Sequence, residues 1–220
     1  MAKKQFAVIG LGRFGTSVAK TLYALGNDVL AVDSDEDMVQ NISDSVTHSV
    51  QADGTDENSL RSLGIRNFDV AVVTIGSDLQ ASVMATLLLK ELGVKYIIAK
   101  ANNELHAKVL YKIGADRVVL PERDMGVRVA HNLVSSNILD YIELSPDYSI
   151  AEIVSPKEWH GKNLKQLSVR ANYGINVVAI KKDNDINVSP NAEDIIEPGD
   201  IVVAIGGAEE LSRLENLISK

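Results

Sequence analysis

An apolar stretch, Phe6-Ala7-Val8-Ile9, runs into Gly10-Leu11-Gly12-Arg13-Phe14-Gly15, and a second apolar stretch, Val29-Leu30-Ala31-Val32, ends on Asp33. Glycines in that pattern can cradle phosphates. Gly10 permits a tight turn, Gly12 lets the backbone approach a pyrophosphate and Gly15 lets the next helix pack closely, while the helix N-terminus supplies N–H donors and positive potential. The same glycines would serve a strand-to-helix turn that binds nothing; the acid ending the second strand is what adds a ligand to the reading. Asp33 stands where a carboxylate accepts hydrogen bonds from both ribose hydroxyls and repels a 2′-phosphate, which disfavours NADP. Its alternative is a solvated acid in Asp33-Ser34-Asp35-Glu36-Asp37, a stretch that also resembles a helix N-cap.

In an open parallel sheet, ligands lie beyond the carboxyl ends of the strands, so residues at those ends share one pocket. They are Asp53-Gly54-Thr55, Ile75-Gly76-Ser77, Lys100-Ala101-Asn102 and Pro121-Glu122-Arg123. Arg13, at the mouth of the glycine loop, can form a bidentate pair with a terminal phosphate, which hints at ADP or ATP rather than NAD; otherwise it is a solvent-facing arginine. His106, one turn into a helix, could reach a phosphate or be an ordinary surface residue. Glu122 would repel bound phosphates unless a divalent or alkali cation intervened; otherwise it is an exposed acid at the turn before the next helix. His48, His131 and His160 have no spacing with other ligand types that would build a metal site.

Positioning these groups takes strands and helices in alternation. Apolar, β-rich runs predict strands at 5–9, 28–32, 46–52, 69–75, 96–101 and 117–120, and helical patterns lie at 15–25, 58–63, 79–92, 104–113 and 124–137. Several strands are apolar on both faces, as parallel strands covered by helices on each side must be. Gly26, Gly64, Gly93 and Gly114 each follow a helical pattern, where a left-handed cap favours glycine. The fold class is therefore α/β: a Rossmann-like, doubly wound, six-stranded parallel sheet in the order 3-2-1-4-5-6 over residues 1–137. After it the rhythm changes. A linker at 138–145 leads to a small α+β domain at 146–220, with strands at 149–154, 175–181, 186–189 and 200–205, a turn at Glu197-Pro198-Gly199-Asp200 and a closing helix at 208–218. So small a core is marginal alone, and pairing with a second copy is a natural remedy.

Bulk properties narrow the chemistry. With 45% hydrophobic and 24% charged residues the chain has the composition of a folded globular protein. No apolar run approaches the roughly 18 residues of a membrane span, and the first residues enter a strand without a signal-type apolar region, so a cytosolic protein is expected. The absence of cysteine excludes disulfides, zinc knuckles and thiol nucleophiles. A net charge of -8 argues against nucleic-acid binding, which needs clustered Lys and Arg.

The glycine loop, together with Leu63-Gly64-Ile65-Arg66-Asn67-Phe68-Asp69, Gln80-Ala81-Ser82, Leu87-Leu88-Leu89-Lys90-Glu91-Leu92 and Lys112-Ile113-Gly114-Ala115-Asp116-Arg117, closely resembles the regulatory subunits of Ktr potassium uptake, members of the RCK (regulator of potassium conductance) family. The likeness continues through Ile142-Glu143-Leu144-Ser145, Arg170-Ala171-Asn172-Tyr173-Gly174-Ile175 and Glu193-Asp194-Ile195-Ile196. The resemblance implies a homodimer assembled into an octameric ring on the cytoplasmic face of the membrane, under a potassium-translocating subunit, with ATP favouring the active ring and ADP the inactive one. It implies a gate controller and not an enzyme. It also implies that Arg13 reads the terminal phosphate, Asp33 the ribose and Glu122 a magnesium, calcium or sodium ion at the dimer interface, with Lys100 and His106 in the pocket. The second domain resembles RCK C-terminal modules, some of which bind cyclic di-AMP between two subunits; by position the contacts here are Leu164, Val169, Arg170, Ile175, Asn176, Val177 and Pro190.

Two other functions use the same loop. An NAD-dependent dehydrogenase binding NAD or NADH would need a positioned acid or base in a substrate domain, where the short second domain offers only His160. An NAD-responsive repressor would need a DNA-binding module and a basic face, and neither is visible.

Overall fold

The computed structural model describes residues 3–76, 78–134, 138–145, 147–183 and 185–218, in two units, Met1–Glu122 and Arg123–Lys220. In the first unit β1 (Gln5–Ile9), α1 (Arg13–Ala24), β2 (Asp28–Asp33), α2 (Glu36–Ile42), β3 (His48–Gln51), α3 (Glu57–Ser62), β4 (Val70–Val73), α4 (Leu79–Glu91), β5 (Ile97–Lys100), α5 (Glu104–Lys112) and β6 (Arg117–Val119) follow one another. The strands form one parallel sheet in the order β3-β2-β1-β4-β5-β6, as the sequence predicts. Alternation along β1 explains the two-faced burial. Ala7 and Ile9 pack with Leu60, Leu89 and Leu110 on one side, whereas Val8 packs with Ala19, Ala31 and Ile42 on the other. The chain winds away in both directions from β1 and β4, so the crevice of the sheet opens at their carboxyl ends.

The four glycines expected at helix ends all have positive φ. The acidic stretch after β2 opens α2, with the Asp35 carboxylate accepting the Asp37 N–H. α6 spans Pro121–Val134, beginning earlier than the expected 124. A proline fits the first helical position because its missing N–H would have no partner there. Glu122 consequently stands in the first turn of α6 and not in a loop before it.

In the second unit β7 (Ile138–Ser145), β8 (Tyr148–Val154), α7 (Leu164–Leu167), α8 (Val169–Tyr173), β9 (Asn176–Lys182), β10 (Asp185–Asn187), β11 (Ile201–Gly207) and α9 (Ala208–Ile218) build an antiparallel sheet in the order β10-β9-β11-β8-β7. Residues 138–145, expected as a linker, are a strand of this sheet, paired with β8. Burial alternates along β11, and its inward residues Val202 and Ala204 meet Trp159, Ile180, Ile196 and Leu211 in one core. The Arg128 guanidinium grips the Asp140 carboxylate through both oxygens, at 2.8 and 2.5 Å, tying α6 to β7. Among the described residues, no helix is long and apolar enough to cross a membrane.

Candidate nucleotide site

The glycine loop is held from both sides. Gly10 has φ +98°, and a Cβ there would stand 3.0 Å from the Ile75 nitrogen. At Gly15 a Cβ would lie 1.9 Å from the Gly10 carbonyl oxygen and 2.4 Å from Thr74 Oγ1, a space that no side chain can share. Thr74 Oγ1 donates to the Gly10 carbonyl at 2.5 Å, closing the turn. Sequence reasoning missed Thr74; its signal is a buried hydroxyl ending an otherwise apolar strand run. Gly12 differs, because a Cβ there meets nothing within 4 Å. Its small size serves no internal packing, and the space beside it is open to the close approach of a ligand.

Gly12 is also the N-cap of α1, with no side-chain hydrogen bond to the first turn. α2, α3, α4 and α5 are each capped, by Asp35, Asp56, Asp78 and Asn103. The first N–H groups of a helix have no intrahelical partners, and an uncapped N-terminus offers them, with the positive end of the dipole, to an anion.

Asp33 sits at the end of β2 and accepts the Leu11 N–H on Oδ2 at 2.5 Å and the Asp35 N–H on Oδ1 at 2.9 Å. Its carboxylate is thereby fixed beside the loop, and each oxygen keeps a second lone pair for a hydroxyl. Ser34 and Asp35 are exposed on the turn that follows. After β3, Asp53 folds an Asx turn by accepting the Thr55 N–H at 2.8 Å and its hydroxyl at 2.7 Å. Gly54 between them is buried, and a Cβ would reach within 2.6 Å of Ile9 Cγ2. Beyond β4, Ile75 and Gly76 line the crevice, with the Asn102 amide donating to the Gly76 carbonyl; Ser77 lies outside the described residues.

Charge gathers at the far end. Lys100 Nζ and Glu122 Oε1 are 2.5 Å apart, the lysine side chain only 12% exposed and the carboxylate 69%. The hydrogen bond from Lys100 holds the Glu122 carboxyl below its ordinary range, and the positive field of Arg13 adds to it. Arg13 and Phe14 open α1, the arginine exposed and the phenylalanine half-buried. Ala101 is buried. His106 is fully buried rather than on the surface: Nδ1 accepts the Asn102 N–H at 3.4 Å, and Nε2 has no hydrogen-bond partner among the described residues. Burial pushes its pKa down, so the ring is held neutral. No group of three or more His, Asp or Glu among the described residues could hold a metal ion. Glu122 fits a cation as one ligand of an oxygen-rich set and not as a complete site.

The second candidate surface is less convergent. Arg170 and Asn176 are exposed, whereas Leu164, Val177 and Pro190 are half-buried. Val169 and Ile175 are buried in the core with Trp159. The segment before β11 joins this region, since the Leu164 and Lys165 N–H groups donate to the Asp194 and Ala192 carbonyls at 3.2 and 2.8 Å.

Comparison with known proteins is consistent across the chain. Residues 6–121 match the TrkA-N domain and residues 148–219 the TrkA-C domain. The chain is 51% identical over 216 residues to Ktr system potassium uptake protein C of Bacillus subtilis, covering 98% of each chain. It is 50% identical to Ktr system potassium uptake protein A of the same organism, covering 97% of this chain and 96% of that one. Among solved structures, the GsuK RCK domain superposes with a TM-score of 0.69 at 18% identity, over 100% of this chain and 48% of that one, a likeness of fold alone. With half its residues shared along nearly the whole length, and both domain types in order, this chain belongs to the Ktr potassium-uptake proteins, a family of regulatory subunits and not of enzymes.

Proposed function

We propose that the chain is the nucleotide-reading gate controller of a Ktr potassium-uptake system, binding ATP or ADP along the crevice of the first unit. The observation that carries this reading is the uncapped N-terminus of α1 behind an open Gly12, beside the Asp33 carboxylate that the Leu11 and Asp35 N–H groups hold in place. Phosphates would accept the free N–H groups of the loop, Asp33 the ribose hydroxyls, and Arg13 would meet the terminal phosphate. His106 supports the same placement, because a buried donor without a partner costs about 1–3 kcal/mol and a ligand oxygen would relieve it. GsuK, of like fold, has been solved bound to NAD and bound to ADP.

In this reading a magnesium, calcium or sodium ion would use Glu122, with phosphate oxygens and a second copy of the chain completing its ligands. When bound, such an ion supplies positive charge against the phosphates. The working form would be a homodimer within an octameric ring on the cytoplasmic face of the membrane, seated under the potassium-translocating subunit. ATP and ADP differ only at the phosphate end, so any difference in gating must arise from their differential affinity for two ring conformations. Cyclic di-AMP would bind on the second unit, Arg170 meeting its phosphate and Asn176 hydrogen-bonding. Val169 and Ile175, being buried, would support that surface from behind.

Calorimetry with ATP, ADP, NAD, NADH and cyclic di-AMP, on the natural sequence and on Arg13→Ala, tests the assignment. Arg13→Ala is expected to weaken ATP more than ADP and to leave cyclic di-AMP unchanged. Equal losses for all three would count against it, as would potassium flux through the partner that ignores the difference between ATP and ADP. Tight NAD binding with no response to ATP would favour the NAD-sensing alternative.

A further inference from the structure

Each carbonyl of the glycine loop from Ile9 to Gly12 is taken up inside the first unit. The Ile9 oxygen accepts the Thr74 N–H at 2.8 Å and shares the Thr74 hydroxyl at 3.1 Å, while the Gly10 oxygen accepts that hydroxyl at 2.5 Å. The Leu11 oxygen accepts the Thr16 hydroxyl at 2.8 Å, and the Gly12 oxygen accepts the Thr16 N–H at 2.9 Å. In a planar trans peptide the C=O and N–H point in opposite directions, so a bond that fixes one fixes the other. The Gly10–Leu11 peptide is gripped at both ends, by Thr74 on its carbonyl and Asp33 on its N–H. The Leu11–Gly12 peptide is gripped at one end only. Thr16 holds its carbonyl, and the Gly12 N–H has no partner among the described residues.

This second peptide is the one that could turn. The Leu11 side chain is locked in the core with Ala19 and Val39, but rotation of the Leu11–Gly12 plane changes the Gly12 φ, which costs a glycine little. A turned plane would present a carbonyl where the N–H now stands, and a carbonyl dipole repels a phosphate. We infer that Thr16 is the positioning residue of the phosphate cradle: its hydroxyl keeps the Leu11 carbonyl turned in and so presents the Gly12 N–H outward. Thr16 acts through the peptide and needs no contact with the ligand. Thr74 does the same for the preceding plane, but from a buried position where it also joins β4 to the loop. The inference rests on the nucleotide reading above for the ligand, whereas the orientation of the loop rests on the hydrogen bonds alone.

The test is ADP titration of the full-length protein by calorimetry on the natural sequence, Thr16→Val and Thr16→Ser, with hydrogen exchange of residues 10–16 followed in the absence of nucleotide. Thr16→Val keeps the shape of the side chain and removes the hydroxyl. It is expected to bind ADP roughly tenfold more weakly, as befits one misaligned hydrogen bond to a charged group, with an unchanged denaturant midpoint. Thr16→Ser keeps the hydroxyl and should bind within about twofold of the natural protein. Exchange in the loop should quicken in Thr16→Val and stay as it is in Thr16→Ser. Should Thr16→Val lower the denaturant midpoint, Thr16→Ala, a better helix former, repeats the comparison. Natural ADP affinity in the variants that lack the hydroxyl overturns the inference, as does a loss in Thr16→Ser equal to that in Thr16→Val, which would assign the effect to the methyl group. A natural protein that binds no ADP overturns the nucleotide reading instead. Hydrogen exchange then still decides the loop, and equal exchange with and without the hydroxyl overturns the inference.

Discussion

The mouth of the parallel sheet and the candidate surface of the second unit are built on opposite plans. In the first, backbone would be the recognition element, and side chains such as Thr74 and Asp33 hold it in shape. In the second, Arg170 and Asn176 are exposed while Val169 and Ile175 are buried, and recognition would depend on side chains carried by short helices and a strand end. The difference teaches where damage spreads. A change at the first site should disturb fold and binding together, whereas a change at the second should separate them.

The strongest test of that contrast is Gly15→Ala. With Gly10 oxygen 1.9 Å from the new carbon, the loop and α1 must part, at a cost of about 3 kcal/mol or more, read as a large fall in the denaturant midpoint. Gly12→Ala is its control: stability should stay within about 0.5 kcal/mol while nucleotide affinity falls, because no atom of the chain lies within 4 Å of the new carbon and a bound nucleotide would. Next in size, Asp33→Ala leaves the Leu11 and Asp35 N–H groups without their partner and should lose about 1–3 kcal/mol of stability along with nucleotide binding. Ordinary stability in this variant would show that the tether does not organise the loop.

A smaller effect concerns pH. Burial holds His106 neutral, with its pKa below the ordinary imidazole value near 6.5. As pH falls below that value the unfolded chain takes up the proton first, so the histidine should lower stability progressively until the folded pKa is reached. Urea midpoints at pH 7.5 and 5.5 should therefore differ more in the natural protein than in His106→Gln. Smallest of all in stability terms is Arg170→Ala, expected to change the unfolding free energy by less than about 0.5 kcal/mol while removing cyclic di-AMP binding. A large loss of stability there would erase the contrast between the two regions.

The first unit was the more legible in sequence because its rules are local and repetitive. Two-faced apolar strands, glycines after each helix and the acid after β2 all follow from a doubly wound sheet, and its strand order came out as read. What escaped has physical reasons. α7 and α8, of 4 and 5 residues, are too short to show a helical period. Residues 138–144 alternate like a strand in sequence, but the pairing of β7 with β8, which makes the expected linker part of the second sheet, is a tertiary fact that alternation alone does not show. α6 starts earlier than expected because Pro121-Glu122-Arg123, which reads as the turn after the sixth strand, opens the helix instead. At the candidate site, charge and glycine spacing pointed to strand ends that the sheet brings to one edge, yet neither the burial of His106 nor the Lys100–Glu122 pair is legible in spacing, since both depend on side chains converging from separate βα units.

Asp33 has one further consequence, for redesign. The oxygen that would bind a sugar hydroxyl in the proposed function also ties down the Leu11 amide, so one residue would set both ligand choice and loop shape. Exchanging it to accept a different sugar, such as one bearing a 2′-phosphate, would slacken the cradle in the same step. A specificity switch built at this position would have to supply a substitute anchor for the loop, so routes to a new nucleotide begin with at least two coordinated substitutions.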